Sequence, residues 1–162
     1  MAETLHEQIS AALQTRLEEI TCDGGETTWY SPDMVYRVLE FSAADLDDSQ
    51  THLLFLRPDN DIVREGATSR VEGEATFTIL IAKKDARSSK SPIAEAVDDE
   101  PIAATVIGRC VGDVRAALLS EVTLGGLAWN VADGEISADY SFPVEQWLCA
   151  TVSFTVLYDY AA

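Results

Sequence analysis

Few residues in this 162-residue chain have the types and spacing that chemistry requires. His6 and His52 stand apart from each other and from the cysteines, so neither forms an evident base–nucleophile pair. Cys22, Cys110 and Cys149 are odd in number, far apart and without CxxC spacing, which argues against a zinc site or disulfide framework and predicts reduced, cytosolic thiols. The acidic pairs Asp47-Asp48 and Asp98-Asp99 would do acid–base work only inside a cleft, and nothing in their flanks indicates one. The acidic loop 42–50 lacks the glycine and the bidentate glutamate of an EF-hand and reads as a solvated connection. GxSxG, HExxH, Walker and GxGxxG patterns are all missing. The residues therefore predict no enzyme, no cofactor and no metal.

Charge is the more informative chemistry. The chain carries 28 acids against 11 bases, a net of -17, which disfavours phosphate backbones and anionic membranes as partners. Residues 57–90 hold seven bases and six acids, a net of +1, leaving -18 for the remainder. Within that region Arg57, Asp59, Asp61, Arg64, Glu65, Arg70, Glu72 and Glu74 crowd both signs into a short span, and they are the candidate interface residues. After Arg115 no base occurs, whereas Glu121, Asp133, Glu135, Asp139, Glu145 and Asp159 follow. Such asymmetry serves either a solvated acidic surface or complementary faces for self-association. In the second case Arg57, Arg64 and Arg70 would meet an acidic surface of the next copy.

The elements that position these groups are legible in the hydrophobic pattern. Leu5, Ile9, Leu13, Leu17 and Ile20 recur at helical spacing over 4–20, with Thr4 and Glu7 placed for a capping box. His6 is expected to be an exposed residue of that helix. Cys22-Asp23-Gly24-Gly25 ends it. Two strands follow, Met34–Phe41 and His52–Arg57, and then a turn-rich arm at 57–70. Val71–Lys84 alternates, with Val71, Gly73, Ala75, Phe77, Ile79 and Ile81 on one face and Glu72, Glu74, Thr76 and Thr78 on the other. The Ser- and Lys-containing stretch 85–97 reads as a flexible connection.

A second helix is predicted after Asp98-Asp99-Glu100-Pro101, with Ile102, Val106, Cys110, Val114, Ala117 and Leu118 as its stripe. Gly108 and Gly112 would weaken it unless they permit close packing or Asp113 caps a separate short helix. Asp133-Gly134 suits a type I′ hairpin that puts Leu127, Trp129, Val131, Ile136, Ala138 and Tyr140 on one face. Pro143 then breaks the strand. The last run, Trp147 to Tyr160, alternates Leu148, Ala150, Val152, Phe154, Val156, Tyr158 and Tyr160 against Thr151, Ser153, Thr155 and Asp159. At about 3.3 Å per residue it reaches roughly 45 Å, long enough to outrun its own domain. The expectation is one α+β domain over 1–162, with a mainly antiparallel sheet, helices on one face and a projecting arm. No basic leader and no apolar run near the membrane-spanning length is apparent, so a soluble protein made in the cytoplasm is expected.

The placed segments resemble the lambda-type tail terminator proteins of long-tailed bacteriophages. The likeness covers most of the chain and rests on Leu17-Glu18-Glu19-Ile20, on Asp61-Ile62-Val63-Arg64-Glu65-Gly66 and on Phe77-Thr78-Ile79-Leu80-Ile81. It continues through Asp113-Val114-Arg115-Ala116-Ala117-Leu118-Leu119 and the closing run from Trp147 to Tyr160. These are patterns rather than invariant motifs, and neither the 85–97 connection nor the strong acidity maps onto them. What the resemblance implies is a virion protein at the top of the tail, in the neck region, assembled in the host cytoplasm. It would form a homohexameric ring that caps the tail tube, stops its polymerisation and presents a surface to the head–tail connector. Genome DNA would pass through an acidic lumen without specific binding. A related head–tail connector or neck protein is the alternative, and a small-ligand-binding domain or enzyme a more distant one.

Overall fold

A computed structural model describes residues 4–20, 32–46, 49–65, 71–84, 103–121, 123–128, 130–131, 135–140 and 146–159. The expected connection at 85–97, the Gly24-Gly25 turn, the Asp98–Pro101 start signal and Arg70 lie outside these residues, as do Asp47-Asp48 and Cys22. The fold is α+β. Helices α1 (Leu5–Glu18) and α2 (Ala103–Leu119) pack on one face of a five-stranded sheet. Its strands are β1 (Met34–Arg37), β2 (His52–Glu65), β3 (Val71–Lys84), β4 (Ser137–Asp139) and β5 (Trp147–Asp159), in the order β1-β2-β3-β5-β4. Only the β1–β2 pair is parallel.

Helix α1 begins with the expected capping box. Thr4 N donates to Glu7 Oε2 at 2.6 Å and Glu7 N donates to Thr4 Oγ1 at 3.2 Å. The Thr4 backbone N–H first, and the Thr4 side chain second, hold the Glu7 carboxyl below its ordinary range by hydrogen bonding to it. Ile9, Leu13 and Leu17 are fully buried, as the spacing requires. Gln14 Nε2 donates to Val35 O at 2.9 Å, tying the helix to β1. Arg16 joins it to the turn after α2 through hydrogen bonds to Glu121 O and, at 3.2 Å, to Glu121 Oε2. Gly125 and Gly126 form that turn with φ of 67° and 93°, the left-handed region where a side chain is strained.

The core confirms the alternation of β3 and β5. Phe77, Ile79, Ile81, Ala150, Val152, Phe154 and Val156 are buried against Val106, Cys110 and Val114 of α2. Cys110 sits in the helical stripe as expected, and burial pushes its thiol up to about 12. Helix α2 is continuous across Gly108 and Gly112, and a Cβ built on either glycine meets nothing within 4 Å. Neither close packing nor a helix break accounts for them.

Four expectations are corrected by the structure. First, the strand predicted over Met34–Phe41 is paired only to Arg37. Val38 and Phe41 instead turn across the opposite sheet face and, with Leu46, cover Leu53, Phe55, Leu80, Ala82, Trp147 and Cys149. The face opposite the helices is therefore apolar at one end and polar elsewhere. Second, the arm is not a loop up to Glu65. Turn-forming types at 58–61 suggest one locally, but the free backbone edge of β3 captures the segment, and Pro58 is accommodated at a register shift between Pro58 and Asn60. Third, the flanks of Asp133-Gly134 do not form a hairpin. Asn130 bridges Leu157 in antiparallel sense and Ser137–Asp139 pairs antiparallel with Ser153–Thr151, so both flanks run the same way along β5. Burial against α2 and β5 outweighs the turn preference: Val131 is fully buried, while Ile136 and Ala138 pack against the main core. Tyr140, expected on the apolar face, is exposed. Fourth, His6 is not a free surface residue but stacks on Phe77, with ring centroids 5.4 Å apart.

Candidate assembly surface

Strands β2 and β3 are 14 residues long and β5 is 13. Beyond Pro58 the two longest strands continue as a ribbon flanked by β5, and Asp59 through Glu65 are all exposed. Seven of the eight candidate residues are described, and pairing brings them onto this ribbon. The period-two alternation divides them between its faces. Arg64, Glu72 and Glu74 share the face away from the helices, with Ile62. Asp61, Val63 and Glu65 share the helix-side face, opposite Ala75, Gly73 and Val71 respectively.

Arg57 and Arg64, the arm's described arginines, each contact an acid of the same chain. Arg57 Nε donates to Asp59 Oδ1 at 2.8 Å, and its guanidinium lies 4.4 Å from the centre of the Phe41 ring. Arg64 Nη2 pairs with Glu74 Oε2 at 3.1 Å. Both are engaged within the chain. Asp61 Oδ1 accepts from Tyr158 Oη at 2.6 Å, and Asp59 Oδ2 accepts from Thr78 Oγ1. Glu65 forms no ion pair with a described residue. The ribbon thus presents charges of both signs.

On its polar side the sheet carries a row of cross-strand hydroxyls. Thr76 and Thr155 are 3.3 Å apart and Thr78 and Ser153 3.1 Å apart, so these side chains satisfy one another.

Sequence reasoning missed a second surface. An open cleft of about 390 Å³ lies where the start of α1 faces β1 and the middle of β2 and β3. His6, Glu7, Ser10 and Arg37 contribute its polar lining, and Leu39, Pro58 and Phe77 contribute apolar wall. Ser10 is only 9% exposed. Arg37 forms no ion pair with a described residue, although its positive field reaches Glu7. Leu39, on the rim, is 81% exposed. Only the one-turn step from His6 to Ser10 was visible in the sequence; Arg37 and Phe77 join them through the tertiary fold.

At the opposite end of β2, Asp33 Oδ2 accepts from Thr51 N at 2.9 Å and His52 N at 3.1 Å. Lys83 Nζ lies 3.0 Å from His52 Nε2. An ammonium only donates, so Nε2 accepts and Nδ1 carries the proton toward Thr51 Oγ1 at 3.2 Å. The Thr51 hydroxyl then donates to Asp33 Oδ2 at 3.3 Å. This chain of bonds fastens the entry of β1 onto β2.

Among the described residues no group of three His, Cys, Asp or Glu side chains is placed to hold a metal ion, and no helix is long and apolar enough to cross a membrane. No protein-family model matches the chain, and no curated protein is significantly similar to it.

Proposed function

We propose that this protein is a phage tail terminator, a ring of six copies that caps the tail tube and ends its polymerisation. The observation that carries the reading is the overlong sheet. Strands β2 and β3 run for 14 residues each, and the outer half of β2, Asp59 to Glu65, is exposed and charged. Such an element suits a head-to-tail ring, in which one patch of each subunit meets a different patch of the next. The net charge of -17 supports the same reading, because an acidic lumen repels phosphates and lets DNA pass without specific binding. In this reading the partners are other copies of the chain, the tail tube protein and the head–tail connector.

The test is addition of the purified protein to polymerising tail-tube subunits. A terminator binds tube ends and fixes tube length. Tubes that grow on unchanged would overturn the proposal, and binding confined to filled heads would favour a connector role instead.

A further inference from the structure

We infer that Lys83 is a site of covalent acylation, reactive toward small acyl phosphates because His52 takes the proton that its amine sheds on attack. The site lies at the end of the sheet away from the ribbon and does not depend on the ring reading.

An activated nucleophile needs a base within hydrogen-bond reach and a third group that orients the base. Lys83 and His52 are opposite each other in the β2–β3 register, and their side chains meet with Nζ 3.0 Å from Nε2. The ring is fixed with Nε2 as its acceptor, since Nδ1 faces Thr51 Oγ1 at 3.2 Å and that hydroxyl donates to Asp33 Oδ2 at 3.3 Å. Asp33 Oδ2 is held in turn by the N–H groups of Thr51 and His52. The Thr51 N–H above all keeps this carboxyl below the usual carboxylate range, so it is ionised at neutral pH and favours a positive charge on the imidazole. His52 and Lys83 are half-buried while Thr51 and Asp33 are exposed, which places the group at the rim of the fold, within reach of a compact reagent. Lys84, the next residue, points to the other face of the strand, opposite Trp147.

The atoms balance as follows. After losing one proton to water, the Lys83 amine attacks the acyl carbonyl carbon and a C–N bond forms. The second proton passes from Nζ to His52 Nε2, and the imidazolium is stabilised through Thr51 by the Asp33 carboxylate. Collapse of the tetrahedral adduct breaks the C–O bond to phosphate, which leaves as inorganic phosphate, and His52 returns its proton to solvent. The acyl group must arrive activated, because phosphate departs from such an adduct where hydroxide does not. The product is an uncharged Nζ-acyl amide, so the His52 ring loses the ammonium beside it.

The lysines of the chain are Lys83, Lys84 and Lys90, so each serves as a control for the others. Wild type, His52→Gln and Asp33→Asn would be treated with acetyl phosphate in mildly alkaline buffer and acylation followed at each lysine by peptide mass mapping, with circular dichroism as the folding control. In wild type Lys83 is expected to react about tenfold or more faster than Lys84, a modest share of what a positioned base contributes. Glutamine accepts the Lys83 hydrogen bond but takes up no proton, so His52→Gln should bring the Lys83 rate down to about that of Lys84. Asp33→Asn should slow Lys83 to a lesser degree, leave Lys84 unchanged and lower the pH at which the His52 ring titrates, a shift that a merely structural role would not give. Acylated wild type should show the opposite shift by NMR, the ring titrating at higher pH once the Lys83 charge is gone. A wild-type Lys83 no faster than Lys84, or a Lys83 to Lys84 ratio unchanged in His52→Gln, overturns the inference. The first comparison needs wild type alone and holds if a variant misfolds.

Discussion

The ring of Tyr158 lies directly over Gly73. The two residues are opposite each other in the β3–β5 register, and a Cβ built on Gly73 would sit 2.1 Å from Tyr158 Cζ. From there the phenol crosses β3 and donates to Asp61 on β2, so one side chain fastens three strands. Gly73→Ala would displace the ring and is expected to cost about 1–3 kcal/mol. Tyr158→Phe, which keeps the ring and removes the hydroxyl, is expected to cost about 1 kcal/mol. Urea denaturation midpoints measure both, and an unaffected Gly73→Ala would mean that the ring moves away freely.

The two faces of β5 are expected to differ sharply. Phe154 is 2% exposed and stacks on Phe77 at 5.8 Å, so Phe154→Ala should cost about 3–5 kcal/mol through lost transfer energy and the cavity left behind. Thr155 is half-buried and shares one hydroxyl contact with Thr76, and Thr155→Ala should cost under about 1.5 kcal/mol. Equal midpoints for the two variants would contradict the burial pattern.

Gly112 lies on the exposed side of α2 with open space around its Cα. Gly112→Ala should therefore stabilise the protein by about 0.5–1 kcal/mol through helix propensity and reduced freedom of the unfolded chain. Thermal unfolding checks the sign: a lower midpoint would indicate that another molecule packs there.

Stability should fall as pH drops below about 6.5, the ordinary histidine value. Burial first, and the Lys83 ammonium second, lower the His52 pKa against the opposing pull of Asp33. Below 6.5 the unfolded chain therefore binds a proton that the native imidazole resists, and unfolding becomes easier until the lowered native pKa is passed. His52→Gln, whose Oε1 can still accept from Lys83, should flatten this part of a stability profile measured from pH 7.5 to 5. An unchanged slope in the variant would assign the effect to other groups. Direct NMR of the ring should find Nδ1 protonated at neutral pH.

Local pattern was sufficient wherever one chain segment carried the whole signal. Helix α1 and its capping box, the faces of β3 and β5, the place of Cys110 in the core and the α+β class all follow from spacing, because burial of one face selects a period of 3.6 or 2. The sequence alone also determined how acidic the chain is. Tertiary structure decided the rest. Pro58-Asp59-Asn60-Asp61 has the local preference of a turn, but the unpaired edge of β3 offered it backbone hydrogen bonds and made it strand. Asn130 and Ser137 flank a turn dipeptide, yet they lie in line along β5 because Val131 and Ile136 gain burial there. The cleft joins His6 and Ser10 to Arg37 and Phe77, which lie tens of residues away in the chain. No periodicity encodes such a meeting, since it depends on where one helix settles against a sheet.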